Sequence, residues 1–345
     1  PTYSFKDYAA RFFGRALNYF LSRSGKKRVV AVATSGDTGS AAINAVAGRE
    51  GVNIFMLHPE GRVSDVQRRQ MTTVRAPNVF NIAIDGSFDD AQAMVKRMFN
   101  DPDMNLRYNI GAVNSINWAR IMAQIVYYFY AGLRVLRETG AAHVQFSVPT
   151  GNFGDIFAGY VAMRMGLPVA RLLLATNRND ILTRFVDSGV YEAQGVHHTI
   201  SPSMDIQISS NFERYLYYLM DEDPGQVREL MAGMARDGRL QINAEKRKQV
   251  VAVFSAVAVS EEETRQQIRD TYQQSGYILD PHTAVGVRAA KTFPGAVCLA
   301  TAHPAKFGAA VKEAINRDPE LPDAFQGIEQ RSKRLETIAA DTDAI

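Results

Sequence analysis

The sequence predicts an α/β fold of two αβα subdomains with mostly parallel sheets, on three observations. Apolar strand-like runs alternate with helix-like stretches along most of the chain, the rhythm of strand, crossover helix and strand. The stretch 144–166 reads VQFSVP, TGNFGD, IFAGYVAMRMG: an apolar run broken at Pro149, a loop with two glycines, then helical spacing. The 345 residues, 46% of them apolar, are enough for more than one core. Right-handed connections bring successive loops to one edge of a parallel sheet, where ligands collect.

A formal charge of +3 without a dense basic tract argues against nucleic acid as a partner and suits small anionic substrates. The lone cysteine, Cys298, lies in the apolar run AVCLA, so no intramolecular disulfide forms and a buried thiol in a reducing, cytosolic setting is expected. The chain reads without a signal peptide, and its longest apolar stretch, IVYYFYAGL, is too short to cross a membrane. Neither CxxC pairs nor zinc-type histidine spacing occurs, so no metal is expected. The oligomeric state stays open.

From the start, Phe5, Tyr8, Phe12, Phe13, Leu17 and Phe20 recur at helical spacing up to Gly25. Lys6 falls in the first turn beside Phe5 and Tyr8, where an aromatic setting would disfavour the ammonium, as a nucleophilic lysine requires. A first-turn lysine also simply reaches solvent. Next, RVVAV reads as a strand, followed by Thr34, Ser35, Gly36, Asp37 and Thr38 at the head of a small-residue helix. Four polar side chains there exceed what one helix cap needs, so a loop receiving a carboxylate or phosphate is expected.

NIFMLHP and NVFNIAI read as further strands, GRVSDVQRRQMTT and SFDDAQAMVKRMFND as helices, the latter capped by Ser87 with Asp90. NSINWAR opens a long helix, with Asn114 and Asn117 able to orient a substrate or to serve as cap and core contacts. In 144–166 the helix start near Asp155 aims its N–H groups at a loop whose Gly151 and Gly154 let backbone approach a ligand closely, an arrangement that holds phosphate; an ordinary turn has the same pattern.

After the strand RLLLATN, the polar run 177–180 either reaches a ligand or caps the next helix, and 201–214 reads as a long loop over a site. Residues 226–274 read as mostly polar and helical, without chemistry. Asp280, Pro281, His282 and Thr283 then precede a small-residue helix, and the buried strand AVCLA leads to Thr301 and His303; each histidine is an acid–base candidate or a hydrogen-bonded structural residue.

A helix-mounted lysine, two anion-receptive loops and a strand ending in Thr-Ala-His suit a cofactor bearing an aldehyde and a phosphate, namely pyridoxal phosphate. Neither Gly loop carries the full GxGxxG dinucleotide pattern. The ordered motifs PTYSFKD, ATSGDTGSAA, NSINWAR, PTGNFGDIFAGY, SPSMDIQ, LDPHTAVG and TAHPAKF resemble those of threonine synthase in its long bacterial and fungal form, across essentially the whole chain.

The resemblance implies fold type II of the pyridoxal-phosphate enzymes, that of the tryptophan-synthase β-subunit, with three-layer αβα subdomains. It implies a lyase of threonine biosynthesis that turns O-phospho-L-homoserine and water into L-threonine and phosphate by γ-elimination and β-addition. By the same resemblance Lys6 forms the Schiff base and shuttles protons, while Gly151, Asn152, Phe153, Gly154 and Asp155 hold the cofactor phosphate. Thr301 faces the pyridine nitrogen, and a neutral hydroxyl there leaves that nitrogen largely unprotonated. Thr34, Ser35, Gly36, Asp37 and Thr38 take the substrate carboxylate, and Asn114, Asn117 and Arg120 are further substrate contacts.

A phospho-lyase releasing a keto acid, a catalytically silent binding protein and a nucleotide-binding domain are the alternatives. The expected domains are a smaller mobile one at 28–104 and a larger cofactor-binding one at 1–27 and 105–345. Long threonine synthases carry a sizeable region before the lysine motif, and here that motif opens the chain. A truncated enzyme is therefore expected, with Lys6 on a frayed terminus and weak cofactor retention.

Overall fold

The strands β1 (Arg28–Ala33), β2 (Val52–Pro59), β3 (Val79–Asp85), β4 (Ile110–Gly111), β5 (Val144–Pro149), β6 (Val169–Thr176), β7 (Val190–Glu192), β8 (Arg239–Gln241), β9 (Phe254–Ala258), β10 (Val297–Cys298) and β11 (Glu336–Ala339) alternate with helices. The computed structural model describes residues 1–34, 36–61 and 63–340. The chain divides into two compact units, 1–120 with 320–345, and 121–319.

In the first unit the sheet runs β11-β3-β2-β1-β4, with every described pairing parallel. Side chains alternate across it: Val30, Val32, Ile54 and Met56 pack into one core with the helices Lys6–Ser24 and Asp37–Val46. Ala31, Leu57 and Ile84 face the other way onto Ala91, Met94 and Met98 of the helix Phe88–Asn100. Both faces are thus covered, as parallel strands require, giving three layers.

The second unit repeats the plan with a parallel sheet β10-β5-β6-β9 and a small antiparallel pair β7-β8. Leu172 and Leu174 enter the core with Phe146, Phe157 and Tyr128, while Leu173 and Ala175 meet Val285 and Ala289 on the opposite face.

The first unit is wider than residues 28–104, since 1–27 and 105–120 group with it. The helix Lys6–Ser24 lies on Asp37–Val46 so closely that a Cβ on Gly14 would stand 2.5 Å from the Ala45 carbonyl oxygen. Nor is the segment carrying Lys6 loose. Asp7 accepts from both the backbone N–H and the hydroxyl of Thr2, each at 2.6 Å, Gln70 Nε2 donates to Thr2 O, and the Tyr3 ring meets Phe325 edge-on. The fraying expected of a terminus is countered by these ties.

The helical reading of 226–274 missed two strands, β8 and β9. The run FSAVA follows the helix Ala244–Val253 with no Gly or Pro between them, so the sequence offers no stop signal, yet it pairs with β6 as β9. AVCLA contains only the two-residue β10, and it is half-buried.

Candidate active site

In the second unit, β5 ends at Pro149 and the loop turns into the helix Gly154–Arg164 through Phe153, whose φ of 62° lies in the left-handed region. That conformation is costly for a residue with a side chain. Burial of the Phe153 ring among Phe212, Tyr215 and Phe254, at centroid distances of 5.5, 5.9 and 5.8 Å, offsets it. The loop's carbonyls are clamped from behind: Ser209 Oγ donates to Gly151 O at 2.6 Å, and Asn211 N and Nδ2 both donate to Asn152 O at 3.1 Å.

No side chain caps the helix, and the N–H groups of Gly151, Asn152, Phe153 and Gly154 meet no acceptor among the described residues. Four adjacent free donors at a helix start make an anion cradle, which fits a phosphate group. Gly151 is also needed for space, since a Cβ there would stand 2.7 Å from Ser203 O. Asp155 takes part through its position in the first turn. Its carboxylate accepts from the buried Tyr128 hydroxyl at 3.0 Å.

Thr301, just past β10, is buried beside the cap of the helix Pro281–Ala290: its Oγ lies 3.2 Å from Thr283 Oγ and 3.4 Å from each Asp280 carboxylate oxygen. The two histidines are engaged structurally. His282 Nδ1 meets Asp280 at 3.0 Å while its Nε2 accepts from Ser203 N at 3.2 Å. His303 Nδ1 accepts from Ala305 N at 3.2 Å, and burial lowers its pKa against the opposing pull of Asp280.

The polar run 177–180 fastens a loop. Asn177 Nδ2 donates to Ser201 Oγ and Asp205 Oδ1, and Asn179 Nδ2 to Asp205 and His197 O.

In the first unit, Thr34 Oγ accepts from Gly36 N at 3.1 Å and Gly39 N at 2.9 Å, so this hydroxyl shapes the loop after β1. Gly36 has φ +146°, favouring glycine, and a Cβ there would sit 2.6 Å from the Gln67 amide. Asp37 is buried and accepts from Gln67 Nε2 at 2.7 Å; Thr38 is half-buried. No side chain caps the helix Asp37–Val46. Ser35 lies outside the described residues.

Lys6 is the first residue of its helix, half-buried, with Nζ 4.9 Å from the Phe5 ring centroid. Asn117 caps the following helix start: its Oδ1 accepts from Ala119 N and its Nδ2 donates to Ala112 O. Asn114 Oδ1, by contrast, is buried without a partner among the described residues. The buried Arg120 donates to Val113 O.

Gln67, Tyr128 and the role of Asp280 escaped the sequence reading. Only Asp280 had a usable signal, an Asp-Pro helix start.

The fold and the amide cradle define the class of pyridoxal-phosphate-dependent enzymes of fold type II, and a family model described as "Pyridoxal-phosphate dependent enzyme" matches residues 1–301. A second, "Threonine synthase, C-terminal", matches 283–345. Threonine synthase of Pseudomonas aeruginosa is 49% identical over 98% of this chain and 73% of its own length; that of Saccharomyces cerevisiae is 43% identical with the same coverage. The X-ray structure of PLP-bound threonine synthase from Brucella melitensis, 48% identical, covers 100% of this chain and 75% of its own, with a TM-score of 0.95. The chain belongs to the threonine synthase family.

Proposed function

We propose that the chain converts O-phospho-L-homoserine and water into L-threonine and phosphate by γ-elimination and β-addition. The observation that carries this is the run of four free amides at 151–154, a phosphate cradle in a chain of this family. Bound pyridoxal phosphate supplies a conjugated ring that disperses the negative charge left when the substrate's α proton departs.

The chain's own residues do the rest. Gly151, Asn152, Phe153 and Gly154 hold the cofactor phosphate through N–H donors, and Asp155 supports the helix start behind them. Lys6 would hold the cofactor through Nζ, and its amine would carry protons from and to the substrate carbons. The uncapped helix start at Gly36 and Asp37, with Thr34 shaping it and Thr38 in its first turn, would take the substrate carboxylate, a role the sequence also assigns to Ser35. Asn114 offers an unspent buried amide oxygen, Asn117 holds the neighbouring backbone, and Arg120 supplies positive charge near the substrate. Thr301 would face the ring nitrogen. A cytosolic setting belongs to the same proposal; in its support, burial pushes the Cys298 thiol up to about 12, so it stays protonated.

The test is borohydride reduction of the cofactor-loaded chain with peptide mapping, together with product analysis. An adduct on Lys6 and threonine as product are expected. Lys6→Ala should lose the adduct and at least about 10³-fold in kcat. An adduct elsewhere, or a keto acid in place of threonine, overturns the reading.

A further inference from the structure

A planar trans peptide sends its C=O and its N–H to opposite sides, and every described peptide of the loop 151–154 is trans. Whatever holds one carbonyl therefore aims the N–H of the next residue. The Phe153 carbonyl is held by the helix itself, through Phe157 N at 3.1 Å, which aims the Gly154 N–H. The two carbonyls before it are held from outside the motif, by the segment 209–211. Ser209 Oγ donates to Gly151 O at 2.6 Å and so aims the Asn152 N–H. Asn211 N and Nδ2 donate to Asn152 O at 3.1 Å and so aim the Phe153 N–H.

Ser209 and Asn211 are both buried. The segment is fixed in turn: Ser209 N donates to the Tyr191 hydroxyl at 2.7 Å, and the Tyr191 ring stacks on Phe212 with centroids 4.5 Å apart. Ser210, between them, is exposed, and its hydroxyl meets the Asn152 side-chain oxygen at 3.1 Å rather than a carbonyl of the loop. Donation to a carbonyl also polarises its peptide, which strengthens the N–H on the far side as a donor.

Resting on the reading that 151–154 hold the cofactor phosphate, we propose that Ser209 and Asn211 are positioning residues that aim and strengthen the Asn152 and Phe153 N–H donors, so that the phosphate is held as its dianion. Neither side chain needs to reach the phosphate, because each acts through a peptide, 151–152 or 152–153. Their shares are unequal. Gly151 O has no other donor among the described residues, whereas Asn152 O keeps Asn211 N when the Asn211 side chain is removed.

The ionisable groups packed around the loop are Asp155, Tyr128, Tyr191, Tyr215, Arg214 on Asn211 Oδ1, and His282 behind Ser203. Burial raises all three tyrosines, so they stay neutral near pH ~7. All six are the same in every variant below.

The experiment is phosphorus NMR of the full chain saturated with pyridoxal phosphate, with a fluorescence titration of cofactor affinity beside it. A free phosphate monoester takes up its second proton near pH ~6, so the signal is followed from pH ~5.5 to ~8. The wild type should stay flat at the dianion position. In Ser209→Ala the signal should titrate within this range, and cofactor affinity should fall roughly three- to tenfold. Asn211→Ala should show both changes to a smaller extent, and Ser210→Ala should match the wild type.

A wild-type signal that titrates near the free value overturns the proposal, as does a flat signal with unchanged affinity in Ser209→Ala. An equal change in Ser210→Ala overturns the route through the peptides. Gly151→Ala separates the proposal from the reading beneath it: a signal moved by Gly151→Ala but by neither Ser209→Ala nor Asn211→Ala overturns the positioning role alone. A signal unmoved by all of them overturns the placement of the phosphate in the cradle. Should Ser209→Ala fail to fold, Asn211→Ala decides, its flat signal and unchanged affinity overturning the proposal.

Discussion

The hydroxyl of Tyr128 donates to Asp155 at two atoms, the backbone oxygen at 2.9 Å and Oδ1 at 3.0 Å, from a fully buried position. Burial first, and the neighbouring carboxylate second, raise the Tyr128 pKa well above its usual value, so it remains a donor at every working pH. The tie holds negative charge in the core, one residue from the free amides. Tyr128→Phe should cost about 1.5–3 kcal/mol, the loss of a hydrogen bond to a charged group, and weaken cofactor binding because the carboxylate loses a donor that draws its charge away from the neighbouring amides. Denaturant midpoints and a cofactor fluorescence titration measure the two effects. Unchanged affinity would refute the electrostatic part.

Gly151 and Gly154 should differ when replaced by alanine. A Cβ at Gly151 meets backbone at 2.7 Å, whereas at Gly154 the nearest atom, the Asn211 side-chain nitrogen, is at 3.2 Å, a milder contact. Gly151→Ala is expected to weaken cofactor affinity by roughly tenfold or more, the equivalent of about 1.4 kcal/mol, and Gly154→Ala by less. Equal losses in the same titration would show that steric space is not what these glycines provide.

Gln67 is itself held, with its Oε1 accepting from Ser64 Oγ at 3.0 Å while its Nε2 donates to Asp37. Gln67→Leu removes the Gln67 hydrogen bond from buried Asp37, in the loop assigned to the substrate carboxylate. A charged hydrogen bond contributes about 1.5–3 kcal/mol, so KM for O-phospho-L-homoserine should rise about tenfold or more, with a smaller change in kcat. Steady-state kinetics decide it: a fall in kcat at constant KM would contradict the assignment.

Burial, outweighing a hydrogen bond to Pro59 O, holds the His58 pKa below its ordinary 6.5. In acid the unfolded chain therefore takes up a proton that the native chain declines. The stability His58 contributes is present above pH 6.5 and is lost as pH falls through its lower folded value. His303 is shifted in the same direction. The urea midpoint of His58→Phe should accordingly fall less than that of the wild type between pH ~7 and ~5. Parallel curves would count against this.

Much of the candidate site is marked in the sequence because glycine punctuates it. The break at Pro149, the pair Gly151 and Gly154, and the Thr-Ser-Gly-Asp-Thr run announce where backbone is bared, and Lys6 falls on a helix whose apolar period is plain. What sequence could not reveal is which partner each polar group takes. Thr34 and Asn117 are spent on loop and helix-cap hydrogen bonds, while Asn114 keeps an acceptor in reserve, although all three are ordinary capping types. Gln67 sits in the polar run QRRQ with nothing to mark it, because its importance comes from a side chain 30 residues away. β11 was invisible for a similar reason: the mostly exposed run ETIA becomes a strand only through its pairing with β3.

That pairing has a consequence for how the chain is made. β3 is complete at Asp85, but the strand that covers its edge begins at Glu336. At roughly 5–20 residues per second of synthesis, the first unit's sheet waits tens of seconds on the ribosome with one flank open. An open flank invites pairing with another nascent chain. Shortening the chain ahead of Glu336 would make that interval permanent, so such products should be found with chaperones or in aggregates even though every proposed catalytic and binding residue precedes the cut.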